Sequence, residues 1–348
     1  MTGRHHARRG VDIVAGADYL PETVKNNGYF SALTGKEDAW FERMTGIRER
    51  RRAAEDENSN TMALEAVKRM LADGTTTLDG VDLIVAASYT PWDTVATLAH
   101  VVQRHFRLSG ARAIYLSTAC SSMLNAIELV VAYMETGRAK RALVVAAEHN
   151  SLYARDSDAH SGHLWGDGAV ALLLDAEASG GFEVVDVVTR GLADVGKGPE
   201  AVFLTPHRDG LVMPAGKDVF QHACQHMESA IHAMLDTHGL SVSDLTLLVP
   251  HQANDRIISQ VGQRLGIDND RVARTVGWTG NTGCASAGIT LMRHRHLLAP
   301  GQLALLVTFG GGYSMGCALL RDRGAGIGAL RANEEAALRL AAPVCAVA

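Results

Sequence analysis

Apolar positions in this chain fall into two recurring patterns. Residues 81–87, 142–147, 169–174, 245–249 and 303–308 are short runs of Val, Leu, Ile and Ala with little polar alternation. Runs of that kind predict strands covered by other elements on both faces. Between them, apolar residues recur at helical spacing over 62–71, 96–106, 123–134, 219–235 and 257–265. The alternation of the two patterns predicts an α/β architecture around a buried sheet.

The pattern also repeats on a larger scale. Cys120 opens a predicted helix that ends near Gly137 and leads to the strand at Ala142, while Asn281 opens one that ends near Pro300 and leads to the strand at Leu303. Cys120 to Val144 and Asn281 to Leu305 are equally spaced, as a duplicated unit requires. The junction is expected in the small-residue stretch 176–181, which divides the chain into halves 1–176 and 177–320. After Leu320 the composition changes to Gly324, Gly326 and Gly328 followed by an Ala-rich segment, predicting a separate tail over 321–348.

Composition narrows the class. A chain of 348 residues with 47% hydrophobic and 20% charged residues builds a large core, and a formal charge of −5 gives no global drive towards nucleic acid. The basic start, Met1 to Gly10, lacks the apolar segment of a secretory signal, and no run of about 18 apolar residues follows, so a soluble cytoplasmic protein with no membrane partner is expected. The five cysteines are scattered without a C-x-x-C pair, indicating neither a disulfide framework nor a zinc site. His222 and His226 share a predicted helix face but have no third ligand at matching spacing, so no metal is expected. Gly277, Gly280 and Gly283 do not form a dinucleotide fingerprint, and Lys36 lacks the context of a phosphate-binding loop.

Three segments place reactive groups at strand exits, where α/β sheets bind ligands. Ser117-Thr118-Ala119-Cys120 follows the apolar run 113–116 and precedes a helix, and the unpaired N–H groups of a helix start favour thiolate over thiol. Pro250-His251-Gln252-Ala253-Asn254 supplies an imidazole, and Gly280-Asn281-Thr282-Gly283 a carboxamide. Taken singly, each also reads as a core cysteine, a structural histidine or a turn asparagine.

Together and in this order they resemble the ketosynthase III family of condensing enzymes (β-ketoacyl-acyl carrier protein synthase III, thiolase superfamily). Supporting matches are Thr45-Gly46-Ile47-Arg48-Glu49-Arg50, Gly166-Asp167-Gly168-Ala169 and Phe309-Gly310-Gly311-Gly312, and the resemblance runs from about Leu20 to Leu320. It implies a thiolase-like fold of duplicated five-stranded sheets in a layered αβαβα arrangement, assembled as a homodimer. It also implies decarboxylative Claisen condensation of an acyl group on Cys120 with a malonyl thioester, expected as malonyl-acyl carrier protein, to give a 3-oxoacyl product. A thiolate serves because it both accepts an acyl group and leaves again. His251 and Asn281 are then the donors that hold the enolate oxygen, the amides of Cys120 and Gly311 form the oxyanion hole, and Phe309 provides an apolar wall. No cofactor is implied. Coenzyme A enters as a thioester substrate.

The chain departs from the family pattern at the substrate entrance. Trp40 matches a tryptophan that stacks on adenine, but its partner arginine position reads Ala159, and a second arginine position reads Met44, beside Arg43. Arg256 is retained. Val95 stands where an aromatic residue from the neighbouring subunit limits chain length, and Trp165 where a smaller aromatic lines the tunnel, two changes with opposite effects on the acyl pocket. The basic run Arg48, Arg50, Arg51, Arg52 is expected to be a solvated face or to meet phosphates or an acidic carrier surface. The first acyl donor is thus either an acyl-CoA or an acyl-carrier thioester, in fatty-acid initiation or in a specialised-metabolite pathway. Two other readings are acyl transfer to a hydroxyl or amine without decarboxylation, which needs a general base, and a silent partner of another ketosynthase, which would usually lack the cysteine.

Overall fold

The computed structural model describes residues 10–324; the basic start and residues 325–348 of the expected tail lie outside the described residues. Its first half runs β1 (Asp12–Tyr19), β2 (Thr23–Asn26), α1 (Asn27–Thr34), α2 (Asp38–Thr45), β3 (Glu49–Arg52), α3 (Ser59–Leu71), β4 (Leu83–Ala87), α4 (Leu98–His105), β5 (Arg112–Leu116), α5 (Ser122–Glu135), β6 (Arg141–Glu148), α6 (Asn150–Tyr153) and β7 (Gly168–Asp175). The second runs β8 (Gly181–Gly191), β9 (Phe203–Thr205), β10 (Gly210–Val212), α7 (Gly216–Thr237), β11 (Leu245–Pro250), α8 (Asp255–Leu265), α9 (Val276–Thr279), α10 (Ser286–His294), β12 (Leu303–Gly310) and β13 (Ser314–Gly324). The expected division at 176/177 falls in the turn between β7 and β8. Residues 321–324, placed in the tail by composition, instead finish β13, where Arg321 pairs with Glu183.

Nine strands form one hydrogen-bonded sheet in the order β11-β12-β13-β8-β1-β7-β6-β4-β5. β4, β5 and β6 are mutually parallel, as are β11 and β12, and the remaining pairs are antiparallel. Read outwards from the middle, β1-β7-β6-β4-β5 and β8-β13-β12-β11 repeat one order. The first half holds five strands; in the second, the fifth position is reduced to the single bridge Leu248↔Val272. The halves meet where Asp12 and Ile13 of β1 pair with Glu183 and Phe182 of β8.

Strand alternation sorts the core into layers. Leu83, Val85 and Ala87 of β4, Val170, Leu172 and Leu174 of β7, and Ala304 and Leu306 of β12 face a shared central core that also takes Met123 to Val130 of α5 and Ala287 to Met292 of α10. Ile84 and Ala86, with Ala169, Ala171 and Leu173, face α3 and α4 on one outer side. Leu303, Leu305 and Val307 face α7 and α8 on the other. Two helix layers thus flank a sheet that wraps α5 and α10, which is the αβαβα order expected.

The helix expected to run from Asn281 to Pro300 is broken into a turn at Gly283–Ala285, α10, and a turn at Arg295–Leu297. Among the described residues no helix is long and apolar enough to cross a membrane.

Candidate active site

The three reactive residues sit at equivalent ends of the two halves: Cys120 between β5 and α5, His251 just after β11, and Asn281 before α10. Cys120 is 9% exposed and precedes α5 by one residue beyond its cap, Ser121. The turn is tight enough to force Ala119 to φ 52, a conformation that costs an L-residue about 1–2 kcal/mol. Two serines hold it: Ser122 Oγ donates to Ala119 O at 2.5 Å and accepts from Thr118 N–H at 2.8 Å, while Ser314 Oγ, from β13, donates to Thr118 O at 2.7 Å. The end of β12 presses on the same turn, since a Cβ added to Gly310 would stand 2.5 Å from the Cys120 backbone nitrogen.

The thiol is not the lowered-pKa group that a helix start suggests. Burial, reinforced by the Glu148 carboxylate, pushes the Cys120 thiol up to about 12, while hydrogen bonds from Gly311 N–H, the Tyr89 phenol and Cys120's own N–H pull it down. Desolvation of the charged form outweighs the donors because the thiol is buried. Gly311 N–H thus reaches the sulfur.

Glu148 is fully buried at the end of β6. Its carboxylate accepts from Ser88 Oγ at 3.0 Å, Tyr89 N–H at 3.2 Å, Thr90 N–H at 3.1 Å and Thr90 Oγ1. Burial still lifts its carboxyl to about 7. By gripping residues 88–90 it fixes the Tyr89 ring beside Cys120 and Asn150. Nothing in the local sequence around Glu148 or Tyr89 marks them; their role arises only from strand pairing.

The segment after β11 divides its labour. His251 N–H donates to Val307 O at 2.8 Å, and its Nδ1 lies 2.6 Å from Ser286 Oγ on α10. Burial depresses the imidazole to about 4, so it is neutral near pH 7. Gln252 is a clasp: its Nε2 donates to Pro250 O and Ala273 O, and its Oε1 accepts from Thr275 N–H and Val276 N–H. Asn254 caps α8 by accepting Arg256 N–H at 2.9 Å.

Asn281 is held by its backbone between Leu164 O at 2.8 Å and Gly166 N–H at 2.9 Å, which sets it against Trp165. Its Oδ1 accepts Gly283 N–H at 3.0 Å, so the Nδ2 group is left to donate. Trp165 is buried at 2% exposure. Phe309 packs its ring parallel to His226, centroids 6.0 Å apart, and at 4.7 Å from Tyr313. His226 and His222 stack with each other, and among the described residues no group of three or more ligating side chains surrounds a metal position.

The expected entrance residues lie apart from this centre. Arg43 is exposed at the end of α2, and Arg256 rests on Met44 and over the Phe220 ring. Lys36 Nζ stands 3.6 Å above the Trp40 ring and donates to Ala159 O at 2.6 Å, so a cation from α1's exit covers the tryptophan where the arginine position reads alanine. Val95 is 84% exposed on the loop between β4 and α4. The basic run is neither a solvated face nor a phosphate cluster: strand alternation in β3 buries Arg50 and Arg52. Arg50 donates to His163 O and Asn27 Oδ1, both at 2.5 Å, and Arg52 pairs with Asp156 at 2.8 Å. Only Arg48 and Arg51 retain exposure.

Comparison with known proteins agrees with this arrangement. The family model for 3-oxoacyl-[acyl-carrier-protein (ACP)] synthase III matches residues 115–191, and that for its C-terminal part matches residues 235–322. A β-ketoacyl-[acyl-carrier-protein] synthase III of Nitratidesulfovibrio vulgaris is 34% identical over 317 residues, covering 87% of this chain and 96% of the relative. The solved synthase III of Thermus thermophilus superposes with a TM-score of 0.84 at 33% identity, over 90% of this chain and 100% of that one. The priming β-ketosynthase of the R1128 polyketide pathway superposes at 0.82 with 29% identity, over 93% and 100%. The chain belongs to the β-ketoacyl-[acyl-carrier-protein] synthase III family, thiolase-fold acyltransferases that build a 3-oxoacyl product by decarboxylative condensation.

Proposed function

We propose that Cys120 carries the first acyl group and that His251 and Asn281 together stabilise the enolate formed from a malonyl thioester. In this scheme the bond between the malonyl α-carbon and its carboxylate breaks and carbon dioxide leaves. The electron pair passes to the thioester oxygen, where the His251 imidazole and Asn281 Nδ2 donate. The enolate carbon then attacks the acyl carbonyl on Cys120, the Cys120 and Gly311 amides hold the tetrahedral oxyanion, and Cys120 leaves as the 3-oxoacyl product forms. Phe309, at the end of the strand that presses on Cys120, supplies the apolar wall.

One observation carries this reading: both side chains near the site are neutral donors rather than bases. Burial holds His251 at about 4, and Gly283 N–H occupies the acceptor end of Asn281. An imidazole so acidic is a poor base for activating a hydroxyl or amine nucleophile, which favours condensation over simple acyl transfer. The retained thiol argues against a silent partner.

We assign the nucleophile to the half 1–176 and the enolate donors to the half 177–320. The first acyl group arrives, in this reading, more readily from an acyl-carrier thioester than from acyl-CoA, because Lys36 already covers the Trp40 face that would stack on adenine. Trp92 at 55% and Val95 at 84% exposure support a homodimer in which this loop meets a second copy. In this reading the enzyme works in the cytoplasm with its thioester substrates alone, coenzyme A entering only as a thioester and no resident cofactor taking part. The test is intact-mass detection of the acyl-enzyme alongside carbon dioxide release. Cys120→Ala should show no adduct, and Asn281→Ala should load normally but release carbon dioxide about 10²–10³ times more slowly. A Cys120→Ala protein that still loads and condenses would overturn the scheme.

A further inference from the structure

We propose that Ser286 is a positioning residue that decides which ring nitrogen of His251 carries the proton. Three atoms make the argument. Ser286 Oγ lies 2.6 Å from His251 Nδ1, and it accepts the backbone N–H of Gln252 at 3.2 Å. Ser286 is 1% exposed at the first residue of α10, so its hydroxyl proton has no bulk water to turn to.

A serine oxygen has one proton to give and two lone pairs to receive with. One lone pair is engaged by Gln252 N–H. If Nδ1 also donated to Oγ, the oxygen would receive twice and its own proton would point at nothing, a loss of about 1–3 kcal/mol for a buried donor. With the hydroxyl donating to Nδ1, every group is satisfied. Nδ1 is then the acceptor, and the neutral ring carries its proton on Nε2, which makes no hydrogen bond to another described residue and is the nitrogen free to donate to a substrate oxygen.

Gln252 completes the device. Its side chain is pinned at four points between Pro250, Ala273, Thr275 and Val276, which holds the residue whose backbone N–H points at Ser286. Gln252 N–H fixes the direction of the serine proton, and the serine proton fixes the imidazole. The residue acts through His251 and touches no substrate, in the manner of groups that set the tautomer of metal-bound histidines.

The inference rests on the enolate role assigned to His251, and the experiment keeps the two apart. In protein carrying ring-15N histidine, with His251 signals identified by their loss in His251→Ala, the wild-type ring should show a protonated Nε2 and an unprotonated, hydrogen-bonded Nδ1. A protonated Nδ1 overturns the proposal whatever the protein's activity. Ser286→Ala should load Cys120 within about twofold of wild type, release carbon dioxide about 10- to 100-fold more slowly, and show a mixed tautomer population. Unchanged release with an unchanged tautomer also overturns it. Should Ser286→Ala fail to fold, the wild-type ring spectrum alone decides. Failure of the wild-type protein to release carbon dioxide would count against the enolate role and leave the Ser286 assignment to the spectrum.

Discussion

Gly310→Ala offers a sharp test of how the oxyanion site is built. Gly310 has a φ open to any residue, so the substitution adds no backbone strain, only a methyl group that would stand 2.5 Å from the Cys120 nitrogen, 2.8 Å from its Cβ and 3.0 Å from its Cα. These are main-chain and first-carbon atoms with no flexible end to swing away. Reaching an ordinary contact of about 3.4 Å requires the end of β12 and the Cys120 turn to part by roughly 0.9 Å. A donor set for a 2.9 Å hydrogen bond would move to about 3.8 Å, beyond useful range. Loss of one oxyanion donor slows reaction by about 10²–10³, or 2.7–4 kcal/mol in the barrier. Overpacking lowers stability by about 1–3 kcal/mol besides. Gly311→Ala is the control: its methyl would meet Val202 O at 3.0 Å and Val202 Cβ at 3.3 Å, contacts that a loop residue can relieve. Rapid-quench mass measurement of Cys120 loading should therefore rank Gly310→Ala far below Gly311→Ala, which should lose about tenfold at most. Wild-type loading by Gly310→Ala, or a larger loss in Gly311→Ala, would refute the close-approach argument.

Other predictions follow from the buried charges. Glu148→Gln removes the negative charge that helps raise the Cys120 thiol, so the pH profile of Cys120 alkylation by iodoacetamide should shift to lower pH; an alkaline shift would contradict the assignment. The same variant tests stability. Glu148's carboxyl is lifted from 4.5 to about 7 in the folded protein, so the folded state holds the proton more tightly, and stability is lost as pH rises through that window. The unfolding free energy of Glu148→Gln minus that of wild type, from urea titrations, should then increase between pH 4.5 and 7. Arg50→Met leaves Asn27 Oδ1 and His163 O without their donor and should destabilise the fold by about 3 kcal/mol while leaving affinity for coenzyme A unchanged. Full stability with lost affinity would restore the phosphate-contact reading of the basic run.

The strands legible in the sequence were those buried on both faces, because continuous apolar runs need no partner to be recognised. β1, β8 and β13 escaped that reading. β1 carries Asp12 and Asp18, whose burial depends on distant partners: Arg293 pairs with Asp18 at 2.7 Å, and Asp12 accepts Gly180 N–H at 3.0 Å. β8 interrupts its apolar residues with Glu183, Asp186 and Arg190, β13 opens on Ser314-Met315-Gly316 and closes on Arg321-Asp322-Arg323, and the two pair along Ser314↔Gly191 to Gly324↔Gly181. At the site, Cys120, His251 and Asn281 stand out because each lies in a short motif; Cys120 and His251 follow strands as expected, whereas Asn281 follows the short helix α9 instead of a strand. Glu148, Tyr89 and Ser286 do not stand out, since each matters only through a group far away in the chain. The local rule that a helix start lowers a thiol pKa failed at Cys120 for the same reason: burial and Glu148 are tertiary facts.

The near-symmetry of the sheet has a consequence for how this catalyst is built. Each half contributes a turn that leads into a helix of the central core, one carrying the Cys120 sulfur ahead of α5 and the other the Asn281 amide ahead of α10. On the proposed scheme, the thiol that carries the acyl group and the donors that hold the enolate thus come from different halves of one sheet. The two halves are not independent, because Gly310 of the second presses on the Cys120 turn of the first and Gly311 N–H bonds to its sulfur. With α5 and α10 both buried in the one central core, the same holds for folding: neither half has a finished core without the other.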